Sequence, residues 1–343
     1  MDWLLLGLVV LLLALGFGVT RRWNRAAPQQ LSYSIIVACR NEEANLPRLL
    51  ASLRAIDYPA DKLEFLLVDD ASTDGTLALL EAFAREAPNA RALRVDVKDP
   101  AWGGKTGALH LAATQARHDI LLLTDADCRV SPQWPASYND CFTDNVGMVA
   151  GFSPEEGASS FRRFTQLVSA AMFASTIGLG VPFSCVGRNL AIRRAALEKA
   201  GGYASIRMHP MGDDKLMLRR IRGAGYRIAY NPLAPAVTIR PQAHAAQQNR
   251  RRYGKFRSSS TLYQLLSLLV LAAYAWMPVR VVTGGAWPLL LAYLAAALFF
   301  WLRVLRVHGQ RFLPVDALYL IVYPYYLIYW SVLGTLGGWK WKS

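Results

Sequence analysis

The stretch Ile120–Ser131, ILLLTDADCRVS, runs from a hydrophobic segment straight into two aspartates one residue apart. In an extended chain residues i and i+2 point to the same face, so Asp125 and Asp127 project side by side just past a buried strand. Two like charges that close repel, and they are costly to desolvate unless something offsets them. A hard divalent cation with oxygen ligands does so. Turn and helix-cap roles for Asp127 and Ser131 fit the same spacing, so the rest of the chain has to decide. Further polar clusters follow other apolar runs. Arg40, Asn41 and Glu42 come just after Ser34–Ala38, and Asp69 and Asp70, then Ser72, Thr73 and Asp74, come just after Glu64–Val68.

These side chains need elements to position them. Short apolar runs at Ser34–Ala38, Glu64–Val68, Leu93–Val97 and Ile120–Thr124 read as strands. Between them Glu43–Ala55, Thr76–Glu86 and Thr106–Ala116 carry helical spacing, with Leu46, Leu49, Leu50 and Leu53 on one side of the first. Strand and helix in alternation predict parallel βαβ units and a doubly wound sheet. In such sheets ligands bind at the carboxyl ends of the strands, where strand order reverses. The three polar clusters fall on that edge. Capping explains each cluster alone, but carboxylates after three separate strands converging on one edge resemble a site for a nucleotide and a metal.

Gly103-Gly104-Lys105-Thr106 looks like the end of a phosphate-binding GxxxxGK[ST] loop, but its first glycine would fall at Asp99. The motif is incomplete and a Walker ATPase is excluded. Lys105 at a helix start still suits a phosphate; a solvated surface lysine is the alternative.

The ends of the chain differ from its middle. Trp3–Val19 carries no charge and is followed at once by Arg21, Arg22 and Arg25. A cleaved signal peptide has the opposite order of charge, so this stretch reads as a membrane span with the N-terminus outside. Three more apolar stretches follow, roughly Leu262–Val282, Ala286–Leu302 and Val315–Gly337; Arg250, Arg251, Arg252, Lys255 and Arg257 precede the first, and Arg303, Arg306 and Arg311 sit in the link between the last two, which marks both places as cytoplasmic. The expected organisation is an N-terminal transmembrane helix over 1–20, a cytoplasmic domain over 30–257 and a C-terminal membrane domain of about three helices over 258–343. The protein is then multi-pass in the cell (inner) membrane, with the domain that carries the polar clusters cytoplasmic. The last stretch, with Tyr323, Tyr325, Tyr326 and Trp330, also suits an interfacial helix. Net charge is +14, but many of the basic residues flank the spans, where they meet anionic lipid. No nucleic-acid motif accompanies the charge, and no nucleic acid is expected as a partner. Cys39, Cys128, Cys141 and Cys185 form no CxxC pair and read as reduced thiols, with neither a disulfide frame nor a zinc site.

Five segments in this order resemble the family 2 glycosyltransferases: membrane-anchored GT-A enzymes, including the cellulose-synthase-like and ceramide-glucosyltransferase-like branches. They are VACRNEE (37–43), VDDASTDGT (68–76), TDADC (124–128), GDDKLMLRRI (212–221) and QNRRRYGK (248–255). The resemblance implies an α/β GT-A domain, Rossmann-like and of the nucleotide-diphospho-sugar transferase type, flanked by transmembrane helices. It implies that Ala38, Arg40, Glu42, Asp70, Lys105 and Asp125 bind the nucleotide sugar, with Asp70 at the uracil. Asp125 and Asp127 would hold Mn2+ or Mg2+ at the diphosphate. Asp213 and Asp214 are the candidate bases, and the family pattern selects Asp214; Asp213 also suits a helix N-cap. Phe183–Arg194 resembles the acceptor-lining segment, with Cys185 and Gly187 nearest the acceptor, joined by Asp213, Gln248 and Arg251. A small buried hydrophobe is the other reading of Cys185. One base and no evident nucleophile imply a single displacement with inversion, from a UDP-linked sugar onto a lipid or membrane-embedded acceptor. The departure from pattern is at 248–255. With Gln248 and Arg251 in the QxxRW positions, Arg252 stands where the family has tryptophan. Processive polysaccharide synthesis, the alternative use of the same site, uses that tryptophan. Ser160–Thr176, with Phe164, Leu167, Val168, Ala171 and Met172 at helical spacing, is expected either to lie on the membrane surface or to pack in the core.

Overall fold

The computed structural model describes residues 2–21, 29–96, 99–207, 209, 212–239, 261–284 and 287–336. The chain forms two compact units. One gathers Met1–Phe17, Ser159–Thr165 and Pro241–Ser343, and the other Gly18–Ala158 and Gln166–Arg240.

The larger unit is built on a seven-stranded sheet. In chain order its elements are β1 (Tyr33–Cys39), α2 (Leu46–Arg54), β2 (Leu63–Asp70), α3 (Thr76–Glu86), β3 (Ala90–Val95), α4 (Thr106–Gln115) and β4 (Ile120–Asp125). They continue with β5 (Cys128–Arg129), β6 (Val146–Gly151), α5 (Ser160–Gly178), β7 (Asn189–Arg193), α6 (Arg194–Lys199), α7 (Asp213–Gly223), β8 (Arg227–Asn231) and β9 (Val237–Thr238). The helix before them, α1, is Asp2–Val19. Strand order is β3-β2-β1-β4-β7-β6-β8. β1, β2 and β4 are covered on both faces, which is why they read as unbroken apolar runs. The chain builds outward through β2 and β3, then returns to place β4 on the other side of β1. The switch point is therefore between β1 and β4.

The sheet is not wholly parallel as the alternation predicts. β7 runs antiparallel to both β4 and β6, while β6 and β8 pair in parallel. β3 begins and ends earlier than the apolar pattern suggests, because pairing of Ala90 with Phe65 sets its register. It is an edge strand and accommodates Arg91 and Arg94, which blur its signal. α2 starts at Leu46, with proline in its first turn, because Glu42 and Glu43 are taken up in the preceding loop. In α7 the N-cap is Gly212, left-handed at φ 77°, so Asp213 is the first helical residue and not the cap. In α5 Phe164, Leu167 and Ala171 are buried along with Ala174 and Ile177, while Val168 and Met172 are half-buried; packing accounts for the buried part of its pattern.

The second unit holds most of α1 and three long helices, Thr261–Val282, Trp287–Val307 and Pro314–Leu336. Leu4, Leu5, Leu8, Ala273, Met277, Tyr293 and Ala297 form its buried cluster, and Asp2 pairs with Arg280 at 2.8 Å. Asp316 is wholly buried and takes two bonds from Arg163, at 2.6 and 2.8 Å. It is also met by Trp301 Nε1 at 3.2 Å and the Leu313 amide at 3.0 Å. Four spans are expected from the sequence; among the described residues two helices, Asp2–Val19 and Trp287–Val307, are long and apolar enough to cross a membrane. Within the helix Thr261–Val282, the stretch Ser267–Val282 is apolar.

Candidate active site

The polar clusters expected at one edge do share it. Ala38 stands opposite Asp125 and Cys39 opposite Asp69 in the register of the sheet. The loops after β1 and β2 are stitched together. The Asn41 amide donates to Ser72 Oγ (3.0 Å), the Thr73 amide to Asn41 Oδ1 (2.8 Å), and the Glu42 amide to Thr76 Oγ1 (2.8 Å). The Gly75 amide closes the seam on Glu43 Oε2 at 3.0 Å. Asp74 accepts from the amides of Thr76 (3.0 Å) and Glu43 (3.2 Å). Asn41 and Ala71 adopt positive φ to allow this crossing. Ser72, Thr73 and Asp74 thus hold the loops, while Arg40 remains exposed at the rim.

Asp70 is buried at the foot of a cleft of about 280 Å³ that Arg94, Asp99, Trp102, His110 and Leu111 also line. Trp102 stacks on His110, ring centroids 4.7 Å apart, and packs on Gly107, where an added Cβ would meet its side chain at 3.2 Å. The preceding Asp69 is 1% exposed, and its Oδ1 has no hydrogen-bond partner among the described residues.

Lys105 joins the two halves of the site. Gly104, at φ 57°, turns the backbone so that the lysine heads α4. Its Nζ lies 2.5 Å from Asp125 Oδ1, with side chains 33% and 29% exposed. Burial works against the charge on Lys105, but Asp125, Asp213 and Asp214 outweigh it and hold the ammonium above the ordinary lysine range. Gly187 sits between the parts: a Cβ there would be 3.6 Å from Asp214 Cβ and 3.9 Å from both Asp214 Oδ2 and Lys105 Nζ. The antiparallel strand β7 explains how Gly187 arrives. Asn189 pairs with Thr124 and Thr124 Oγ1 donates to Arg188 O at 2.9 Å, so the segment before β7 reaches the carboxyl end of β4. Cys185 is buried, and burial with Asp214 and Asp213 pushes its thiol far up. It is a neutral thiol beside the candidate base.

Asp127 follows on the loop into β5; its carbonyl accepts from the Ile239 amide at 2.8 Å, and its Oδ1 lies 3.6 Å from Cys128 Sγ. Burial, Asp127 and Asp125 push that thiol up to about 11. Asp125 and Asp127 offer hard oxygen donors, and among the described residues no third histidine, cysteine or carboxylate joins them. Such a pair suits a divalent ion that draws the rest of its shell from substrate phosphates and water.

Of the expected site residues the structure brings together Lys105, Asp125, Cys185, Gly187, Asp213 and Asp214, with Asp70 in the adjoining cleft. Gln248 and Arg251 lie outside the described residues. Two features near these residues were not foreseen. Tyr203, buried in a short 3-10 turn, has its hydroxyl held up by burial and by Asp213. The other is the Trp102–His110 stack; Asp69 belongs to the expected cluster after β2, but its burial was not foreseen. The adjacent acidic pair in VDDAS was a signal for Asp69; Tyr203 sits in no motif.

The sequence profile of Glycosyl transferase family 2 matches residues 34–201, and that of Glycosyl transferase family group 2 matches residues 120–339. A β-monoglucosyldiacylglycerol synthase of Synechocystis is 38% identical over 96 residues, 28% of this chain and 20% of that protein. A probable glycosyltransferase of Bacillus subtilis, YdaM, is 25% identical over 232 residues, 62% of this chain and 52% of that one. The chain thus spans between a fifth and about half of the length of these relatives. Among solved structures, a Pyrobaculum calidifontis mannosyltransferase in complex with GDP-mannose and Mn2+ shares the fold. Its TM-score is 0.59 at 21% identity, over 96% of this chain and 95% of that one.

Proposed function

The chain belongs to the family 2 glycosyltransferases, and on that basis we propose that it moves a sugar, with inversion, from a UDP-linked donor to a lipid or other membrane-embedded acceptor at the cytoplasmic face of the cell membrane. The observation that carries this is the single cluster at the switch point. A cation for a diphosphate, Lys105, and a carboxylate for a hydroxyl, Asp214, meet beside Gly187.

In this reading Asp70 and its cleft take the nucleobase, and Ala38, Arg40, Glu42 and Asp125 hold the remaining nucleoside. Lys105 faces the diphosphate. Asp127, with Asp125, holds a Mn2+ or Mg2+ ion, which neutralises the charge that develops on the leaving group. Cys185, Gly187 and Asp213 line the acceptor side. Asp214 accepts the proton of the acceptor hydroxyl as its oxygen bonds to the anomeric carbon. The bond from that carbon to the phosphate oxygen breaks in the same displacement, and the nucleoside diphosphate leaves. With Asp214 as the base and, among the described residues, no second carboxylate assigned as a nucleophile, an α-linked donor gives a β-linked product. A lipid acceptor is supported by the Synechocystis relative, named for making a glucosyl diacylglycerol. Membrane anchoring is supported by the two apolar helices Asp2–Val19 and Trp287–Val307.

The test uses the purified chain in detergent with Mn2+, a bacterial lipid extract and a panel of radiolabelled UDP-sugars. Label in one discrete lipid band, lost with EDTA, is the expected result. Label retained as polymer would replace this reading with a processive synthase, and no UDP release with any donor would overturn it.

A further inference from the structure

Helix α5 ends in a stiff apolar tip that the chemistry above leaves unused. Gly180 is left-handed, φ 80°, and closes the helix. The Val181 amide donates to Thr176 O at 2.8 Å and the Gly180 amide to Ile177 O at 3.0 Å. In this closure the residue after the glycine commonly folds back on the helix. Here Leu179 and Val181 instead stand 45% and 54% exposed. Two arginines clasp the turn: Arg21 Nη1 donates to Gly178 O at 2.9 Å and Arg222 Nη2 to Gly180 O at 3.4 Å. Both arginines are exposed. The end of α1 lies hard against the same turn, since a Cβ on Gly178 would fall 1.9 Å from Gly18 O.

We propose that Leu179 and Val181 insert into an anionic bilayer surface, with Arg21 and Arg222 at the level of the lipid phosphates, and so seat the acceptor-lining segment at the lipid. The proposal rests on reading α1 as a membrane span. An apolar helix that ends in arginine leaves the hydrocarbon at that end, and whatever is fastened there lies at the interface. Two exposed apolar side chains at that depth leave water for acyl chains, and flanking guanidinium groups reach back to anionic headgroups. Because the turn is closed by hydrogen bonds and clasped on two sides, it enters as a fixed wedge. The chain then runs from Val181 directly into Cys185 and Gly187, beside Asp214.

The test places the full chain in phosphatidylcholine–phosphatidylglycerol vesicles carrying nitroxide-labelled lipid. The four native cysteines are buried, so a fluorophore is attached singly at Val181→Cys, at Leu11→Cys in the middle of α1, and at the exposed Asp61→Cys. Quenching by lipid at 181 and 11 but not at 61 is expected. Quenching at 11 without quenching at 181 overturns the wedge and leaves the membrane reading standing. No quenching at 11 removes the membrane reading, and the wedge with it. A signal at 181 that responds only to protein density assigns the tip to a second copy of the chain and also overturns the proposal. In the double variant Leu179→Ser/Val181→Ser, KM for a vesicle-borne acceptor rises about tenfold while KM for the donor stays unchanged; equal KM values for acceptor would count against the wedge.

Discussion

Lys105 Nζ lies 2.5 Å from Asp125 Oδ1, tying the head of α4 to the carboxyl end of β4. The same ammonium is held charged by Asp213 and Asp214 from the other side of the site. One cation therefore serves Asp125 and the Asp213–Asp214 pair together. Lys105→Met takes that cation from among three carboxylates and from any diphosphate bound there. We expect kcat/KM to fall by about 100- to 1,000-fold, the range for losing one preorganised electrostatic partner of a developing charge, with weaker UDP binding by calorimetry. Wild-type kcat/KM in this variant would remove Lys105 from the site.

Asp214 is the carboxylate nearest Gly187, in the first turn of α7. Asp214→Asn keeps the size of the side chain and removes its basicity. Transfer is expected to slow by about 100- to 10,000-fold, the usual span for general-base catalysis, while UDP affinity stays within a few fold. A variant that turns over normally would move the base elsewhere, with Asp213→Asn as the comparison.

These assignments were legible in the sequence to different depths, for physical reasons. Strands β1, β2 and β4 are buried on both faces, so each is an unbroken apolar run that ends where its polar residues begin. That made the carboxyl edge and its carboxylates readable. The direction of β7 was not, because NLAIR carries the same pattern read either way. The antiparallel pairing of Asn189 with Thr124 reveals that the strand runs backwards and brings the segment with Gly187 to the carboxyl end of β4. Lys105 announced itself through the glycines before it, whereas Tyr203 did not, since a four-residue 3-10 turn has no period to detect. The loop residues Ser72, Thr73 and Asp74 were visible as polar, but their work in joining two loops depends on a neighbour some thirty positions away in the chain.

Glu64 gives the fold a dependence on acid. It is buried on β2 and accepts from Ser34 Oγ (2.6 Å), the Arg117 amide (2.5 Å) and Arg91 Nη2 (3.0 Å). Burial alone raises its pKa, but these donors outweigh burial and hold the carboxyl below the usual glutamate range. A lowered folded-state pKa means that its stabilisation is fully present above the unfolded value, about 4.3, and is lost as pH falls through the lower, folded value. Glu64→Gln should destabilise the domain by about 1.5–3 kcal/mol at neutral pH, the range for hydrogen bonds to a charged group. The deficit should shrink as pH drops below 4.3. Chemical denaturation of both proteins across that range checks it, and a deficit independent of pH would mean that shape and not charge is what Glu64 contributes.

Gly18 and Gly178 meet backbone to backbone. A Cβ on Gly178 would stand 1.9 Å from Gly18 O, and one on Gly18 would stand 2.4 Å from Ser175 O. Neither obstacle is a flexible side chain, so the backbone at this crossing has to move before any larger residue fits. Gly178→Ala should therefore cost about 1–3 kcal/mol through overpacking, seen as a lower midpoint in thermal unfolding. Gly180→Ala makes a useful contrast, since nothing lies within 4 Å of its added Cβ and only its left-handed φ of 80° resists the change. Its expected penalty is about 1–2 kcal/mol, the strain of a left-handed residue that carries a Cβ. Because the two mechanisms are separate, Gly180→Asn, which tolerates the left-handed region, should lose less than Gly180→Ala. Equal losses for the asparagine and alanine variants would show that strain at Gly180 is not what closes α5.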